Sequence, residues 1–404
     1  MENVSSSNGL EKYPKLRFKG FSEPWETDTL GNLGTFMKGA PLSKADITDE
    51  GTPFVLYGEL YTTYGEVTRS IKRRTNKAVE PQFYSKVGDV IMPTSGETPE
   101  DIATASCIML PDVILAGDLL IYRTQKVDGR LVSFVVKNKV NKQISSVAQG
   151  KSVVHVRAEE LSKIAISYPS DTEQQKILTM LELLEDKIAK QRELIEHLKK
   201  YKRGALQHIF HKMTDCSIVT VGDVFTKANK RNSDGRVKNV ITNSAEYGLI
   251  PQRDFFDKDI AVDGNTNNYF IIKKGCFVYN PRKSNTAPYG PFNCYQGEEE
   301  GIISPLYTCL VKKADVDSTY LSWYFKSDSW YRYIYDNGSQ GVRHDRVSMT
   351  DDLLMGIPIK LPNGERQKEI GAFFDAIDAK LKCETDILNA LIRIKNGLYD
   401  KMFI

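Results

Sequence analysis

The stretch DTEQQKILTMLELLEDKIAKQRELIEHLKKYKRGALQHIFHK, residues 171–212, carries apolar side chains at alternating steps of three and four. This spacing repeats every seven residues and is typical of a helix that packs along a coiled-coil seam. Acidic residues dominate the start of the stretch and basic residues its end, which complements the helix dipole. At roughly 1.5 Å per residue, the helix would be about 60 Å long. The predicted seam positions are Ile177, Leu181, Leu184, Ile188, Gln191, Ile195 and Leu198, followed by Lys202, Ala205 and Ile209.

The same pattern returns 193 residues further along the chain. The equivalent positions are Ile370, Phe374, Ile377, Leu381, Glu384, Leu388 and Leu391, followed by Lys395, Leu398 and Met402. Two unrelated helices would share the polar seam positions only by coincidence, whereas an internal duplication accounts for them. We therefore predict that the two helices pair as an antiparallel coiled coil about an approximate two-fold axis. Gln191 and Glu384 would meet near this axis as a register-setting polar layer, or lie at a solvated edge of the seam.

A mixed segment of about 150 residues precedes each helix, in line with the two or three domains expected for 404 residues. Short apolar runs in each segment predict strands, including KVGDVIMP, ILAGDLLIYRT and LVSFVVKN in the first. KKGCFVYNP and GIISPLYTCL take the corresponding places in the second. The predicted fold class is α+β, with two similar mixed α/β domains joined by two long helices. The predicted boundaries are 1–20 (tail), 21–168 (first domain), 169–212 (first helix), 213–361 (second domain) and 362–404 (second helix).

Composition indicates a soluble protein of ordinary character. The formal net charge of +3 permits a nucleic-acid partner without requiring one. Six cysteines are scattered without a CxxC pair, which favours reduced thiols over disulfides or a zinc site. No apolar run approaches the roughly 20 residues of a membrane span, and the polar N-terminus lacks the apolar core of a signal peptide. We therefore expect a cytoplasmic protein without membrane contact.

The sequence carries no recognisable motif for catalysis or for a bound cofactor. It has neither a GxxxxGK[ST] phosphate loop nor a GxGxxG after a strand. The loop Asn280-Pro281-Arg282 differs from the Asn-Pro-Pro-aromatic loop with which amino-methyltransferases hold their target base. His208 and His211 are close enough to share a metal, but two histidines alone do not make a metal site. We expect no catalytic residue, no metal site and no cofactor held by this chain.

Basic, aromatic and amide residues cluster in predicted loops of both domains. Lys and Arg neutralise phosphates, while Arg, Asn, Ser and Glu can also bind base edges in the grooves. A charge run such as SIKRRTNK equally fits an ordinary solvated surface, so each cluster alone is weak. The candidate DNA-binding residues are Glu59, Tyr61, Thr62, Arg69, Lys72, Arg73, Arg74 and Ser95 in the first domain, and Asn243, Arg282, Lys283, Ser284, Asn285 and Arg343 in the second.

The order of domain, long helix, domain, long helix resembles the specificity subunit of a type I restriction–modification enzyme. The resemblance covers nearly the whole length. It also rests on local patterns: YGELYTTYG in the first domain, EQQKI and KKYKRGALQHIF in the first helix, GIISPLYTCL in the second domain and ERQKEIGAFFDAID in the second helix.

The resemblance implies a subunit without catalytic residues, in which each domain recognises one half of a bipartite site on double-stranded DNA. The helices would fix the gap between the half-sites and dock two methyltransferase subunits, which bring S-adenosylmethionine. Restriction subunits would add translocation and cleavage that use ATP and Mg²⁺. A scaffold protein with a coiled-coil spine and non-specific DNA binding is the alternative from the residues alone. The bases recognised are not apparent from the sequence.

Overall fold

Two long helices occupy the predicted coiled-coil stretches, and a mixed α/β segment precedes each of them. The computed structural model describes residues 12–150, 153–254, 266–338 and 345–404. The chain divides into two compact units: unit 1 comprises Met1–Gln191 with Ile387–Ile404, and unit 2 comprises Arg192–Asp386. Each long helix contributes residues to both units, because both boundaries fall within helices.

Unit 1 begins with short strands and short helices and leads into the first long helix. In chain order these elements are β1 (Glu26–Thr29), α1 (Leu30–Leu33), β2 (Gly34–Lys38), β3 (Thr52–Leu56), α2 (Glu59–Thr62), β4 (Val67–Thr68), β5 (Arg74–Thr75), β6 (Asp89–Pro93), β7 (Ser95–Gly96), α3 (Pro99–Ile102), β8 (Ser106–Ile108), β9 (Ile114–Ala116), β10 (Leu119–Thr124), α4 (Gly129–Asn138), α5 (Asn141–Val147), β11 (Val154–His155), α6 (Ala158–Leu161), β12 (Ala165–Tyr168) and α7 (Asp171–Lys212).

The main sheet of unit 1 has five strands in the order β2-β10-β6-β8-β4. Its pairs are antiparallel except β4 with β8, which run parallel. Val90, Ile91 and Met92 in the central strand β6 are all buried, as expected when a strand is covered on both faces. The pair β1–β12 ties the start of the unit to the strand that leads into α7. A second sheet has the order β5-β3-β9.

The run LVSFVVKN forms helix α4 and not the strand predicted from its apolar letters. Asp128 is the N-cap, and its carboxylate accepts the Arg130 backbone N–H at 2.9 Å. Burial alone would raise the pKa of Asp128, but hydrogen bonds and charge from Arg130 outweigh it and hold that pKa below its ordinary value. Short apolar runs fit a buried helix as well as a buried strand, and here the cap preceding the run decides in favour of the helix.

Unit 2 begins with the same strand, short helix and strand as unit 1, has fewer short helices among its strands, and leads into the second long helix. These elements are β13 (Ser217–Thr220), α8 (Val221–Val224), β14 (Phe225–Lys227), β15 (Ile241–Ser244), β16 (Gly248–Pro251), β17 (Phe270–Ile272), β18 (Phe277–Tyr279), β19 (Phe292–Cys294), β20 (Gly301–Ile303), β21 (Thr308–Lys312), α9 (Ser318–Lys326), α10 (Tyr331–Asn337), α11 (Asp351–Met355), β22 (Pro358–Leu361) and α12 (Gly364–Met402).

The main sheet of unit 2 has the order β14-β21-β18-β19, which reproduces β2-β10-β6-β8 of unit 1. β18 stands where β6 stands, and β21 where β10 stands, as the sequence echoes predict. The pair β13–β22 matches β1–β12. The core beside the sheet is rich in aromatic rings, among them Phe225, Phe277, Phe325 and Trp330. The two units therefore share one architecture, and the predicted internal duplication is confirmed at the level of the fold.

A buried glutamine fastens the start of each long helix to its unit in the same way. Gln174 accepts the backbone N–H of Asp128 at 3.0 Å and donates to the carbonyl five residues before itself at 2.9 Å. Gln367 accepts the backbone N–H of Asp317 at 2.9 Å and donates to the equivalent carbonyl at 2.8 Å. Asp128 and Asp317 are the N-caps of α4 and α9. Because both hydrogen bonds recur, the duplication extends to single side chains.

Within each unit the two long helices run antiparallel. In unit 2, Lys202 of α7 lies 2.6 Å from Asp378 of α12, while Phe210, further along α7, stacks on Phe374, earlier in α12. In unit 1, Lys395 of α12 lies 2.5 Å from Glu185 of α7. Moving 193 positions along the chain converts Glu185 into Asp378 and Lys202 into Lys395, so the two ion pairs are equivalent. The polar seam lysines thus have acidic partners across the helix pair.

The predicted seam residues face inward. Those that are buried are Ile177, Leu181, Ile188, Ile195, Ile370, Phe374, Leu381, Glu384, Leu391 and Met402. Those that are half-buried are Leu184, Gln191, Leu198, Ala205, Ile209, Ile377, Leu388 and Leu398. Glu384 forms a 2.5 Å ion pair with Lys380 one turn away, and the predicted meeting of Gln191 with Glu384 stays a prediction. Among the described residues, no helix is long and apolar enough to cross a membrane.

Candidate nucleic-acid interface

The basic loop that joins β4 to β5 in unit 1 is held in place by side-chain contacts. Arg69 forms a 2.8 Å ion pair with Glu182 of α7. The Lys72 backbone N–H donates to the hydroxyl of Tyr64 at 3.1 Å. Arg74 donates through Nη1 to a backbone carbonyl at 2.9 Å. The charge of Arg69 is therefore directed to the helix, which weakens the prediction that it binds DNA, while the Lys72 side chain is exposed.

Glu59 and Arg73 form an ion pair at the start of α2. The Arg73 Nε donates to Glu59 Oε1 at 2.8 Å, and the Leu56 backbone N–H donates to Glu59 Oε2 at 3.2 Å. The Glu59 side chain is only 8% exposed, whereas that of Arg73 is 43% exposed. The arginine therefore faces solvent, and the glutamate lies beneath it. The short helix α2 follows β3, with Glu59 as its first residue.

Tyr61, Ser95 and His155 form a second connected group in unit 1. The Tyr61 hydroxyl donates to the Ser95 carbonyl at 2.5 Å, and a 3.0 Å hydrogen bond joins Ser95 Oγ to His155 Nδ1. Burial raises the pKa of Tyr61, so its hydroxyl stays protonated and can donate. Pairing of β7 with β11 brings Ser95 beside His155. Ser95 is buried and His155 is exposed, so the histidine is the member that a ligand can reach.

These two groups line neighbouring clefts. One cleft, of about 690 Å³, is lined by Glu59, Thr62 and Arg73 among others. The other, of about 1040 Å³, is lined by His155 and by basic residues that include Lys38 and Arg157. The clefts share Leu42, Gly117 and Asp118. Thr62 is exposed, and its hydroxyl donates to the Gly58 carbonyl at 3.3 Å. Five of the eight candidates in the first domain thus lie in, or are hydrogen-bonded to, one continuous region.

Asn243 in unit 2 is buried and hydrogen-bonded within the unit, which weakens the prediction that it contacts DNA. It is 4% exposed, and its amide donates to the Val278 carbonyl at 2.8 Å while its Oδ1 accepts from Asn293 at 2.7 Å. The Asn280 amide donates to the Asn243 carbonyl at 3.2 Å. Because the side chain satisfies its hydrogen bonds inside the unit, it has nothing to offer a base edge.

The loop that follows β18 presents the other candidates of the second domain. The Asn280 side chain accepts the Arg282 backbone N–H at 3.0 Å, and the Lys283 N–H donates to the Asp345 carbonyl at 2.9 Å. Ser284 Oγ accepts the Ala287 N–H at 3.1 Å and closes a turn. The side chains of Arg282, Ser284 and Asn285 are exposed, and that of Lys283 is half-buried. Arg343 lies outside the described residues.

A second arginine lies opposite this loop. Arg282 and Arg346 form an isolated antiparallel bridge. Burial raises the pKa of Tyr307, and a hydrogen bond with Thr242 and the charges of Arg282 and Arg346 oppose that rise. Two arginines, a tyrosine and a threonine therefore converge beside β15. Arg346 and His155 are not among the site residues predicted from the sequence, because pairing between distant segments brings them to the site and residue type alone does not show this.

Metal chemistry finds no support in the described part of the chain, where no cluster of three or more His, Cys, Asp or Glu side chains is arranged to hold an ion. His211 lies 2.6 Å from Asp328 instead of sharing a ligand with His208. The six cysteines are free thiols. The polar groups that line the clefts are thus suited to hydrogen bonding and to neutralising charge.

Residues 22–200 match the family model of the type I restriction modification DNA specificity domain. This region is therefore similar to the DNA specificity domain of type I restriction–modification systems. The match spans the mixed α/β segment of unit 1 and continues along α7 as far as residue 200. It agrees with the predicted resemblance to a DNA sequence specificity component of a type I system. The candidate contacts of unit 1 all fall inside this specificity domain.

Solved structures extend the comparison to the whole chain. The fold is similar to that of the S subunit of a type I restriction–modification system from M. genitalium, with a TM-score of 0.56 and 16% identity over 97% of this chain and 99% of that one. It is also similar to a chain from a structure on complex assembly and conformational transition of the type I R-M system, with a TM-score of 0.57 and 16% identity over 94% and 97% of the two chains. At this identity the likeness concerns the fold, and it includes unit 2, of which the family model matches only residues 192–200. A comparison with curated proteins gives no match.

Proposed function

We propose that this chain is the subunit that gives a type I restriction–modification complex its DNA sequence specificity, with each unit recognising one half of a bipartite site. The observation that carries the proposal is the duplication of the specificity domain. Unit 2 repeats the main sheet, the buried glutamine at the start of the long helix and the ion pair between the long helices. A second copy of a DNA-reading fold with different loop residues would read a second, different sequence.

The proposal includes two docked methyltransferase subunits, because exposed apolar residues recur at equivalent places on the long helices. Leu194 and Tyr201 on α7 correspond to Ile387 and Ile394 on α12, and all four side chains are exposed. Each pair is seven residues apart and so lies on one helix face. We call these two pairs the outer stripes. Exposed apolar groups of this kind favour a protein partner, and two equivalent stripes would hold two copies of the same partner.

In this proposal the partner subunits bind the cofactors. The methyltransferase subunits would bring S-adenosylmethionine, and restriction subunits would bring the ATP- and Mg²⁺-dependent steps. The free cysteines fit a reducing, cytoplasmic location. The helix pair would set the distance between the half-sites.

The proposal is tested by selecting duplexes from a randomised library with the full-length chain and its methyltransferase partner. The expected result is a motif with two fixed halves separated by a spacer of constant length. Replacing residues 21–160 by the same region of another specificity subunit should change one half and leave the other intact. Salt-sensitive binding without any preferred sequence would instead favour the scaffold alternative.

A further inference from the structure

Four cations lie close together in the β4–β5 loop of unit 1 and at the start of β5: Arg69, Lys72, Arg73 and Arg74. They differ in which of their N–H groups already form hydrogen bonds within the protein. Arg69 is paired with Glu182, and Arg74 donates to the Gly51 carbonyl. Arg73 contacts Glu59 through Nε only. Within the described residues its two Nη groups have no hydrogen-bond partner, and its side chain is 43% exposed. The Nε of Arg73 is therefore held by Glu59, while its two Nη groups stay available to a ligand.

Glu59 differs from Arg73 because its polar atoms are already paired within the protein. Both of its carboxylate oxygens accept hydrogen bonds, one from Arg73 and one from the Leu56 backbone. It is buried, so removing its cationic partner would leave a charge without compensation. A carboxylate with both oxygens occupied is poorly placed to accept from the amino group of cytosine, which is the base contact expected of a glutamate. Its geometry suits it to orient Arg73.

The rest of the loop is equally fixed. The Phe54 N–H donates to the Arg73 carbonyl at 3.1 Å, and the Thr48 N–H donates to the Arg74 carbonyl at 2.9 Å. These bonds hold the backbone at Arg73 and directly after it before DNA binds. Fixing a side chain in advance reduces the conformational entropy lost on binding, and so favours a specific contact.

We propose that Arg73 recognises a guanine in the half-site read by unit 1, donating from its two Nη groups to the O6 and N7 acceptors of the base, and that Glu59 is its positioning residue. This inference rests on the proposed function. A guanine is the base that offers two acceptors side by side in the major groove, and a fork of two N–H donors matches them. Lys72, with an exposed ammonium beside Arg73, is suited to a neighbouring phosphate.

The test repeats the duplex selection with variants of the full-length chain. Arg73→Lys keeps the charge and the partner of Glu59 but loses the fork, so preference for one guanine should fall about 5- to 150-fold. Glu59→Gln should lower the preference at the same position by a smaller factor. Lys77→Arg, at an exposed cation just after β5 that is not among the candidate contacts, is the matched control and should leave the motif unchanged. The other half-site, read by unit 2, serves as an internal check of folding in every variant.

Three results would overturn the inference. Arg73→Lys could leave every position unchanged, or both Arg73→Lys and Arg73→Ala could weaken all sequences equally, which is the mark of a phosphate contact. Glu59→Gln could relax a different position from Arg73→Lys, which would make the glutamate a reader in its own right. A wild-type chain that selects no motif would overturn the proposed function itself, and this is known before any variant is compared.

Discussion

At the scale of single residues, the chemistry of a polar side chain depends on which of its hydrogen-bonding groups are already paired. Asn243 and Asn285 are both asparagines in segments that the sequence assigns to DNA binding. Asn243 is enclosed, and its amide and carbonyl oxygen are both used within unit 2. Asn285 is exposed in the loop after β18. The first should therefore support the loop, and only the second is placed to meet a ligand.

Replacing Asn243 by alanine should lower the free energy of unfolding by about 1–3 kcal/mol, because the carbonyl of Val278 loses the Asn243 donor and the amide of Asn293 keeps only the Ser244 carbonyl. Urea unfolding measures the loss. Asn285→Ala is the matched control and should change the stability little, because an exposed side chain exchanges its hydrogen bonds with water. If Asn243→Ala left stability unchanged but relaxed one base of the motif, Asn243 would be a DNA contact after all.

Local sequence does not distinguish these two asparagines. The partner of Asn243 is Asn293, which lies 50 residues away and is brought close by the pairing of β18 with β19. Arg69 is a similar case, since its partner Glu182 lies on a helix far along the chain. Residue type and loop position identify candidates, whereas long-range strand pairing and helix packing decide which of them are free.

At the scale of elements, periodicity made the long helices predictable and the short ones ambiguous. The seven-residue repeat extends over several turns, so α7 and α12 stand where it predicts them, and the polar positions Lys202 and Lys395 gain acidic partners. The run at Leu131 is too short to show a period, and it forms a helix instead of the predicted strand. A pattern that repeats over many turns identifies a helix even when single positions are polar. A single apolar run does not distinguish a helix from a strand.

The outer stripes give a prediction at this scale. Leu194→Asp with Tyr201→Asp should remove one docked methyltransferase subunit, because each change places a charge in an apolar contact. Ile387→Asp with Ile394→Asp should remove the other, and the four changes together should remove both. Native mass spectrometry of the complex counts the copies. The free chain should stay folded, since all four side chains are exposed.

Gln207→Asp and Asn389→Asp form the matched control, because both positions are exposed and lie on other faces of the same helices. Together the two changes add two negative charges, as many as one stripe variant, and should leave two copies bound. Loss of both copies from either stripe variant alone would contradict independent docking. Retention of both copies in the fourfold variant would show that the partner docks elsewhere.

At the scale of the whole molecule, the proposed function implies that the length of the helix pair sets the distance between the two half-sites. α7 has 42 residues and α12 has 39. A heptad inserted in both, at matched positions, keeps the seam in phase because the repeat is seven residues. Seven residues at roughly 1.5 Å add about 10 Å, and DNA rises about 3.4 Å per base pair. The spacer preferred for methylation should therefore lengthen by about three base pairs, with both half-sites unchanged.

The same insertion should also weaken binding. Three base pairs turn the far half-site by nearly a third of a helical turn, since a turn is about 10.5 base pairs. A four-residue insertion in one helix is the contrasting variant and should reduce stability as well as activity, because it breaks the alternation of three and four. Methylation of a library of spacer lengths by the heptad variant with its methyltransferase partner gives the answer. An unchanged preferred spacer, with activity retained, would mean that something other than these helices measures the distance.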